Sequence, residues 1–147
     1  MTQRSTHLAQ QLRPGKLSVA FILTPHFTLL AFSAFVDTLR LAADEGDRSR
    51  PIHCTWSVLS HNMRAARASC GMEVLPTTEL DDPRRYDYVV VVGGLLDASP
   101  LADAQLDYLR RAAALRIPLV GAHRQLPRSP LHEAVIGRGD QFPEKYR

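Results

Sequence analysis

Cysteine is scarce in this chain, and long hydrophobic runs are missing. The two cysteines, Cys54 and Cys70, are not spaced like a disulfide framework or a metal site. No apolar run approaches the roughly 20 residues that a transmembrane helix needs, and residues 1–16 lack the apolar centre of a signal peptide. Phosphate-loop, dinucleotide and serine-elbow motifs are also missing. We therefore expect a cytoplasmic protein with free thiols, no metal, no cofactor and no membrane partner.

The charge distribution argues against a nucleic-acid-binding surface. The formal net charge of the 147 residues is +3, but residues 1–16 carry +3, residues 122–147 carry +2 and the residues between them carry −2. No basic stripe suited to a phosphate backbone runs through the central part. With 45% apolar and 22% charged residues, the composition is that of one ordinary globular domain. We expect no direct nucleic-acid contact by this chain.

Buried strands alternate with helices along the chain. Four apolar runs predict strands, at residues 17–23, 53–60, 86–92 and 119–121. Apolar residues spaced by three and four predict one helix from Thr28, as N-cap, to Gly46 and another over residues 103–115. A short extended piece at residues 72–76 ends in Pro76, which favours the edge of a sheet. The pattern predicts an α/β fold with a mostly parallel sheet.

Several polar and glycine residues are candidates for a site at the strand ends. The Gly93–Gly94 pair follows the valine-rich strand and is either a tight turn or a source of amides for a ligand. Asp37, in the first helix, is either a buried acid or a solvated one. His26 either lines the same cleft or lies on the surface.

The two cysteines and the C-terminal basic residues have alternative interpretations as well. Cys70 precedes Gly71 in a polar connection and is either reactive or inert, since no His or Lys lies close in sequence to lower its pKa. Cys54 alternates with Trp56 and is interpreted as a small core residue. The remaining basic residues either bind an anion or belong to a solvated tail; they are His123, Arg124 and Arg128.

These pieces together resemble a known family. The segments that carry the resemblance are residues 27–42, 67–74, 87–94 and 118–121. They are similar to the N-terminal domain of AraC-type transcriptional regulators with a DJ-1/PfpI-like, class I glutamine amidotransferase-like fold. The branch most similar regulates catabolism of amino acids and of quaternary amines such as glycine betaine and carnitine. The resemblance covers residues 16–121.

The resemblance implies a fold, a partner and a site. The fold would be a flavodoxin-like three-layer sandwich with a mostly parallel sheet, incomplete at the C-terminus. The domain would be a homodimer that senses a small metabolite, an amino acid or a quaternary amine. Asp37 stands where the family usually has glutamate, and the glycine pair matches the family's amide-bearing glycines. The expected ligand-binding residues are His26, Asp37, Gly93, Gly94 and His123.

The chain departs from the family after Gly121. The family usually continues with cysteine-threonine-glycine-serine, whereas residues 122–126 read AHRQL and contain no thiol. A cysteine-dependent reaction would then have no nucleophile at this turn, and the helix-turn-helix part of such regulators is not recognisable in the chain. The leading interpretation is a non-catalytic sensor and dimerisation domain without its DNA-binding part. The alternatives are a DJ-1/PfpI-type hydrolase or glyoxalase-like enzyme that uses Cys70, and a module that only dimerises.

The expected organisation is a leader, a sensor domain and an irregular tail. They comprise residues 1–15, 16–121 and 122–147. The codons CAC CGG CAG CTT CCN can encode residues 123–127 and, read one base later, give Thr-Gly-Ser-Phe, the family's own continuation. We therefore hypothesise that the tail is frameshifted. Sequencing the gene tests this hypothesis, and a shifted frame that encodes no regulator-like continuation would contradict it.

Overall fold

A parallel five-stranded sheet is the centre of the protein. The computed structural model describes residues 16–44, 46, 52–94 and 101–122. Its strands and helices are β1 (Leu17–Leu23), α1 (Leu29–Ala43), β2 (Cys54–Ser60), β3 (Ala66–Arg67), β4 (Glu73–Val74), β5 (Thr78–Glu79), β6 (Tyr88–Val92), α2 (Asp103–Ala114) and β7 (Leu119–Ala122). The sheet has the order β5-β2-β1-β6-β7 with every pair parallel, whereas β3 and β4 form a separate antiparallel hairpin. The predicted α/β class with a mostly parallel sheet is confirmed.

Alternate residues of β1 point to opposite faces of the sheet. One helix packs on each face, so the sheet lies between α1 and α2. Val19 and Phe21 belong to an apolar cluster on the α1 side, and Ala20 and Ile22 belong to a second cluster on the α2 side. The Phe21 ring meets two rings of α1 edge-on, at centroid distances of 5.3 and 5.5 Å. None of the described helices is long and apolar enough to cross a membrane.

Some predicted boundaries shift for local reasons. The last strand before the glycine pair begins at Tyr88, because Pro83–Arg85 forms a 3₁₀ turn whose cap, Asp82, accepts a hydrogen bond from the Arg84 amide. Thr28 does occupy the N-cap of α1, but its side chain makes no capping bond. The piece that ends in Pro76 lies in the hairpin and not in the main sheet; β5, which follows it, forms the sheet edge.

The loop after β1 is held by backbone hydrogen bonds to the β3–β4 hairpin, to the end of β6 and within itself. The His26 amide donates to the carbonyl of Arg67 (2.9 Å), and the Thr28 amide donates to the carbonyl of Gly93 (2.9 Å). Within the loop, the Phe27 amide donates to the carbonyl of Thr24 (3.1 Å). The ends of β1 and β6 and the β3–β4 hairpin are therefore fixed against one another through main-chain atoms.

Gly94 makes this arrangement possible because it has no Cβ. A Cβ built at Gly94 would lie 1.8 Å from the carbonyl oxygen of His26 and 2.7 Å from the Cα of Phe27. Both atoms are backbone, so neither can rotate out of the way. The second glycine of the predicted pair is required for close packing of two chain segments.

We predict that Gly94→Ala lowers the free energy of unfolding by about 3 kcal/mol, because the loop after β1 must shift to admit the methyl group. Urea denaturation followed by circular dichroism measures the change. Gly46→Ala is the matched control: Gly46 has a φ of 65° and open space around it, so only the backbone strain of about 1 kcal/mol is expected there. Equal losses in the two variants would contradict a steric role for Gly94.

We also predict that stability falls at alkaline pH. Burial raises the pKa of both Tyr86 and Tyr108 above the ordinary value of 10.0. The neutral phenols are favoured in the folded state, so their contribution is complete below pH 10 and is lost as the pH rises above it. The free energy of unfolding is measured by denaturation at about pH 8 and at about pH 11, on either side of that value. It should fall less in Tyr108→Phe than in the parent protein. Tyr88→Phe, which removes an exposed phenol, is the control. If the free energy of unfolding falls as much in Tyr108→Phe as in Tyr88→Phe and the parent protein, the prediction is wrong.

Candidate functional site

A cavity of about 310 Å³ lies at the carboxyl ends of β1 and β2. Its walls come from the loop after β1, the segment after β2, the β3–β4 hairpin and the first turn of α2. Open parallel sheets bind ligands beyond the carboxyl ends of their strands, where the strand order reverses. Here the chain runs from β1 outward to β2 and β5 and then to β6 and β7 on the other side, so the order reverses at β1. The cavity is therefore the candidate site.

The segment after β2 is shaped by the side chain of Asn62. The Asn62 Oδ1 atom accepts hydrogen bonds from the Ser60 hydroxyl (3.1 Å) and from the Arg64 amide (3.0 Å). The backbone N–H of Asn62 in turn donates to the Ser60 Oγ atom (3.3 Å). This turn ends the strand and carries the chain along the cavity wall, because an Asn side chain can replace backbone partners in a turn. Ser60 itself is buried.

Two residues beside the cavity have backbone conformations that L-amino acids rarely adopt. His26 and Met63 both have a φ of 56°, and His26 lines the cavity whereas Met63 adjoins its wall. Such conformations persist only where surrounding contacts enforce them, and they are concentrated at binding sites. For His26 the enforcing contacts are the hydrogen bond to Arg67 and the packing of Gly94.

Gln105 contributes a buried amide to the cavity from α2. Its side chain is 6% exposed, and its Oε1 atom accepts a hydrogen bond from the Ala102 amide (3.1 Å) at the start of the helix. Among the described residues, no group accepts a hydrogen bond from its NH₂. This NH₂ is therefore available as a hydrogen-bond donor to a ligand in the cavity.

The described cavity wall is basic. It contains His26, His61, Arg64 and Arg67, and no Asp, Glu, Phe, Tyr or Trp is among the described residues that line it. The guanidinium of Arg67 lies over Gly71 in the hairpin turn. Neither arginine forms an ion pair with any carboxylate in the described ranges. Glu73 is the cross-strand neighbour of Arg67 in the hairpin but forms no ion pair with it. The positive charge of the wall is therefore engaged by no ion pair in the described ranges.

The predicted site residues are only partly brought together. His26 lines the cavity and Gly94 packs directly behind it. The Gly93 amide donates to the carbonyl of Ala122 (3.0 Å), so this amide is used by the sheet. His123 lies outside the described residues, and so do Arg124 and Arg128.

Asp37 does not lie at the site. Its side chain is 67% exposed and forms a long ion pair with Arg40 (Nε to Oδ1, 3.5 Å). It is not among the residues that line the cavity. Asp37 lies on the face of α1 that points away from the sheet. Of the two interpretations, a buried acid or a solvated one, it is therefore the solvated one.

The cysteines are also away from the cavity. Cys54 is buried in the apolar cluster on the α1 side, as the sequence predicted, and burial raises the pKa of its thiol. Cys70 is exposed in the turn of the β3–β4 hairpin. Neither is among the residues that line the cavity.

Sequence reasoning missed the residues that build most of the wall. Asn62 and Arg64 belong to a stretch interpreted only as a polar connection. Ser60 was assigned only to the end of a strand, and Gln105 only to a helix. A signal was present: a run of polar residues directly follows a buried strand, at the edge where ligands bind. The contribution of Gln105 depends on how α2 packs, which no local pattern shows.

Comparisons with known proteins give structural neighbours. No protein-family model and no curated protein matches the chain. Among the solved structures that it resembles is an AraC family transcriptional regulator from Pseudomonas putida, with 27% identity, a TM-score of 0.59, and coverage of 71% of this chain and 63% of the regulator. DJ-1beta of Drosophila melanogaster matches with 24% identity and a TM-score of 0.55, over 72% of this chain and 54% of its own. A DJ-1 superfamily protein from Agrobacterium tumefaciens matches with 17% identity and a TM-score of 0.53, over 71% and 52%.

The matched region is extensive in this chain but partial in the neighbours. The chain spans less than two thirds of the length of these solved structures. Identities below 25% support the fold alone, and the regulator lies just above that level. The resemblance inferred from the sequence is confirmed: the chain has the flavodoxin-like fold of the DJ-1/PfpI superfamily, with an AraC-family regulator among its structural neighbours.

Proposed function

We propose that this chain is the ligand-sensing domain of an AraC-type transcriptional regulator and that it works by binding, without catalysing a reaction. The observation that carries the proposal is the cavity at the carboxyl ends of β1 and β2, whose volume of about 310 Å³ suits a small metabolite. The similarity to the regulator from Pseudomonas putida supports the regulatory part. The ligand would be an amino acid or a quaternary amine, as the resemblance implies.

Binding is favoured over catalysis by what lines the cavity. A nucleophile requires activation by an adjacent base or a lowered pKa. The Ser60 hydroxyl donates to Asn62 and not to a base, and no cysteine is among the described lining residues. Cys70, which the enzyme interpretation requires, is exposed in the hairpin turn.

The position of the cavity offers a route from binding to signalling. Its walls join the main sheet to the β3–β4 hairpin, which is held to the loop after β1 through the hydrogen bond from His26 to Arg67. A ligand that contacts both walls would favour one position of the hairpin over others. Differential binding of this kind is what a sensor requires.

We predict that a panel of amino acids and quaternary amines contains a ligand that raises the melting temperature. At a concentration of 100 Kd such a ligand stabilises the folded state by about 2.7 kcal/mol. Ala65→Tyr should abolish the shift, because Ala65 lines the cavity and a tyrosine ring would fill it. Ala42→Tyr, an exposed change on α1, is the matched control and should leave the shift intact.

Two results would contradict this function. One is a panel in which no member raises the melting temperature at millimolar concentration. The other is a ligand-induced shift that persists in Ala65→Tyr, since the binding site would then lie elsewhere.

We further propose that the domain acts as a homodimer. Leu30 and Leu41 are apolar residues of α1 that are 75% and 60% exposed, and exposed apolar side chains on one helix are typical of surfaces that another chain covers.

We predict that Leu30→Glu lowers the dimer affinity at least about tenfold, because a charge in an apolar contact must be desolvated. Sedimentation velocity over a range of concentrations measures the dissociation constant. Leu115→Glu, at an exposed leucine just after α2, should leave the affinity unchanged. A monomer at all concentrations, or equal effects of the two variants, would contradict a dimer formed through α1.

A further inference from the structure

We propose that the cavity selects an anionic ligand, one that presents a carboxylate or phosphate group to the basic wall. This inference rests on the proposed function, namely that the cavity binds a small molecule. It narrows the ligand class to molecules that are recognised through a carboxylate or phosphate group. It excludes a quaternary amine that has no acidic group.

The first argument is the balance of donors and acceptors in the cavity. Three side-chain acceptors of the described wall are engaged: Asn62 Oδ1 accepts two hydrogen bonds, Ser60 Oγ accepts one, and Gln105 Oε1 accepts from the start of α2. The neutral imidazoles of His26 and His61 each add one acceptor nitrogen. The NH₂ groups of Asn62 and Gln105 have no acceptor among the described residues. A site that offers donors and few free acceptors favours a ligand group that only accepts, and an ionised carboxylate or phosphate is such a group.

The second argument is charge. The arginines that form ion pairs in the described ranges each do so with an aspartate two to four residues away; they are Arg40, Arg84, Arg85 and Arg110. Arg64 and Arg67 have no such partner in those ranges, and both line the cavity. A guanidinium presents paired N–H donors that match a carboxylate or phosphate. Arg64 thus supplies charge that the ligand would neutralise. Arg67 adds to it from the hairpin, where its guanidinium lies over Gly71 and Glu73 is its cross-strand neighbour.

The third argument concerns what the wall lacks. Proteins recognise quaternary ammonium groups with aromatic faces or with carboxylates. The aromatic residues of this region, Phe21, Phe32 and Phe35, pack against one another between the sheet and α1. Among the described lining residues there is no Phe, Tyr or Trp and no Asp or Glu. A trimethylammonium group would therefore find no complementary partner at the described wall.

Matched pairs of small molecules test the inference directly. The probes are succinate with its neutral analogue succinamide, and glycine betaine with choline, which has the same trimethylammonium group and no carboxylate. Inorganic phosphate is a fifth probe that separates phosphate recognition from carboxylate recognition. We expect succinate, glycine betaine or phosphate to raise the melting temperature at millimolar concentration and low salt, and we expect no shift with succinamide or choline.

Variants of the basic wall complete the test. The double variant Arg64→Ala/Arg67→Ala should raise the dissociation constant of the anionic probe at least about tenfold, since hydrogen bonds to charged groups are lost. Arg110→Ala removes another exposed arginine, one on α2 that does not line the cavity, and should leave the constant unchanged. Circular dichroism verifies that each variant is folded.

The outcomes separate this inference from the proposed function. If choline or succinamide binds as well as its acidic counterpart, or if the double variant binds the anion as tightly as the parent, anion selection is wrong although the cavity still binds a ligand. If an anion binds and Ala65→Tyr does not weaken it, the site is misplaced and both proposals fail. If no probe binds, anion selection is overturned, and the amino acid panel decides the proposed function by itself.

Discussion

The contact between Gly94 and the backbone of residues 26–27 is the constraint on which the rest of the structure depends. It joins the ends of β1 and β6 through main-chain atoms, so a clash at this position cannot be relieved by the rotation of a side chain. It also fills the crevice at those two strand ends. No residue of β6 is among the described residues that line the cavity, which opens instead on the side of β2. In the described ranges, the room for a ligand therefore lies on the β2 side of β1.

The same constraint determines the chemistry of the cavity. With the loop after β1 held down, His26 adopts a positive φ and its amide bonds to Arg67, which ties the hairpin to the sheet. The hairpin brings its arginine and the preceding Arg64 to the wall. Polar acceptors nearby are consumed by the turn around Asn62. The result is a wall of donors and positive charge, which is suited to binding an anion and provides no activated nucleophile.

Much of the fold could be predicted from the sequence, and the site could be predicted only in part. Buried strands such as Leu17–Leu23 have a continuous apolar pattern, which is visible locally. Asp37 was placed near the site by position in a family pattern, yet its side chain lies on the solvent face of α1. Gln105 was missed because its role depends on the packing of α2 over the sheet. Glu73–Val74 is a strand within the predicted extended piece, but its pairing with Ala66–Arg67 in a separate hairpin was not predicted, because two-residue strands carry no periodic signal.

The sequence by itself determined the α/β class, the order of the main strands and helices along the chain, and the absence of a cysteine at residues 122–126, because these follow from local patterns of apolar residues and from residue identity. Only the tertiary structure decided which loops meet at the sheet edge, that Gly94 closes the crevice beside β6, and that basic residues distant in sequence share one cavity wall. These features depend on contacts between segments about 40 to 70 residues apart, namely those of His26 with Arg67 and with Gly94. Such contacts are selected by the packing of the whole sheet and not by any local preference.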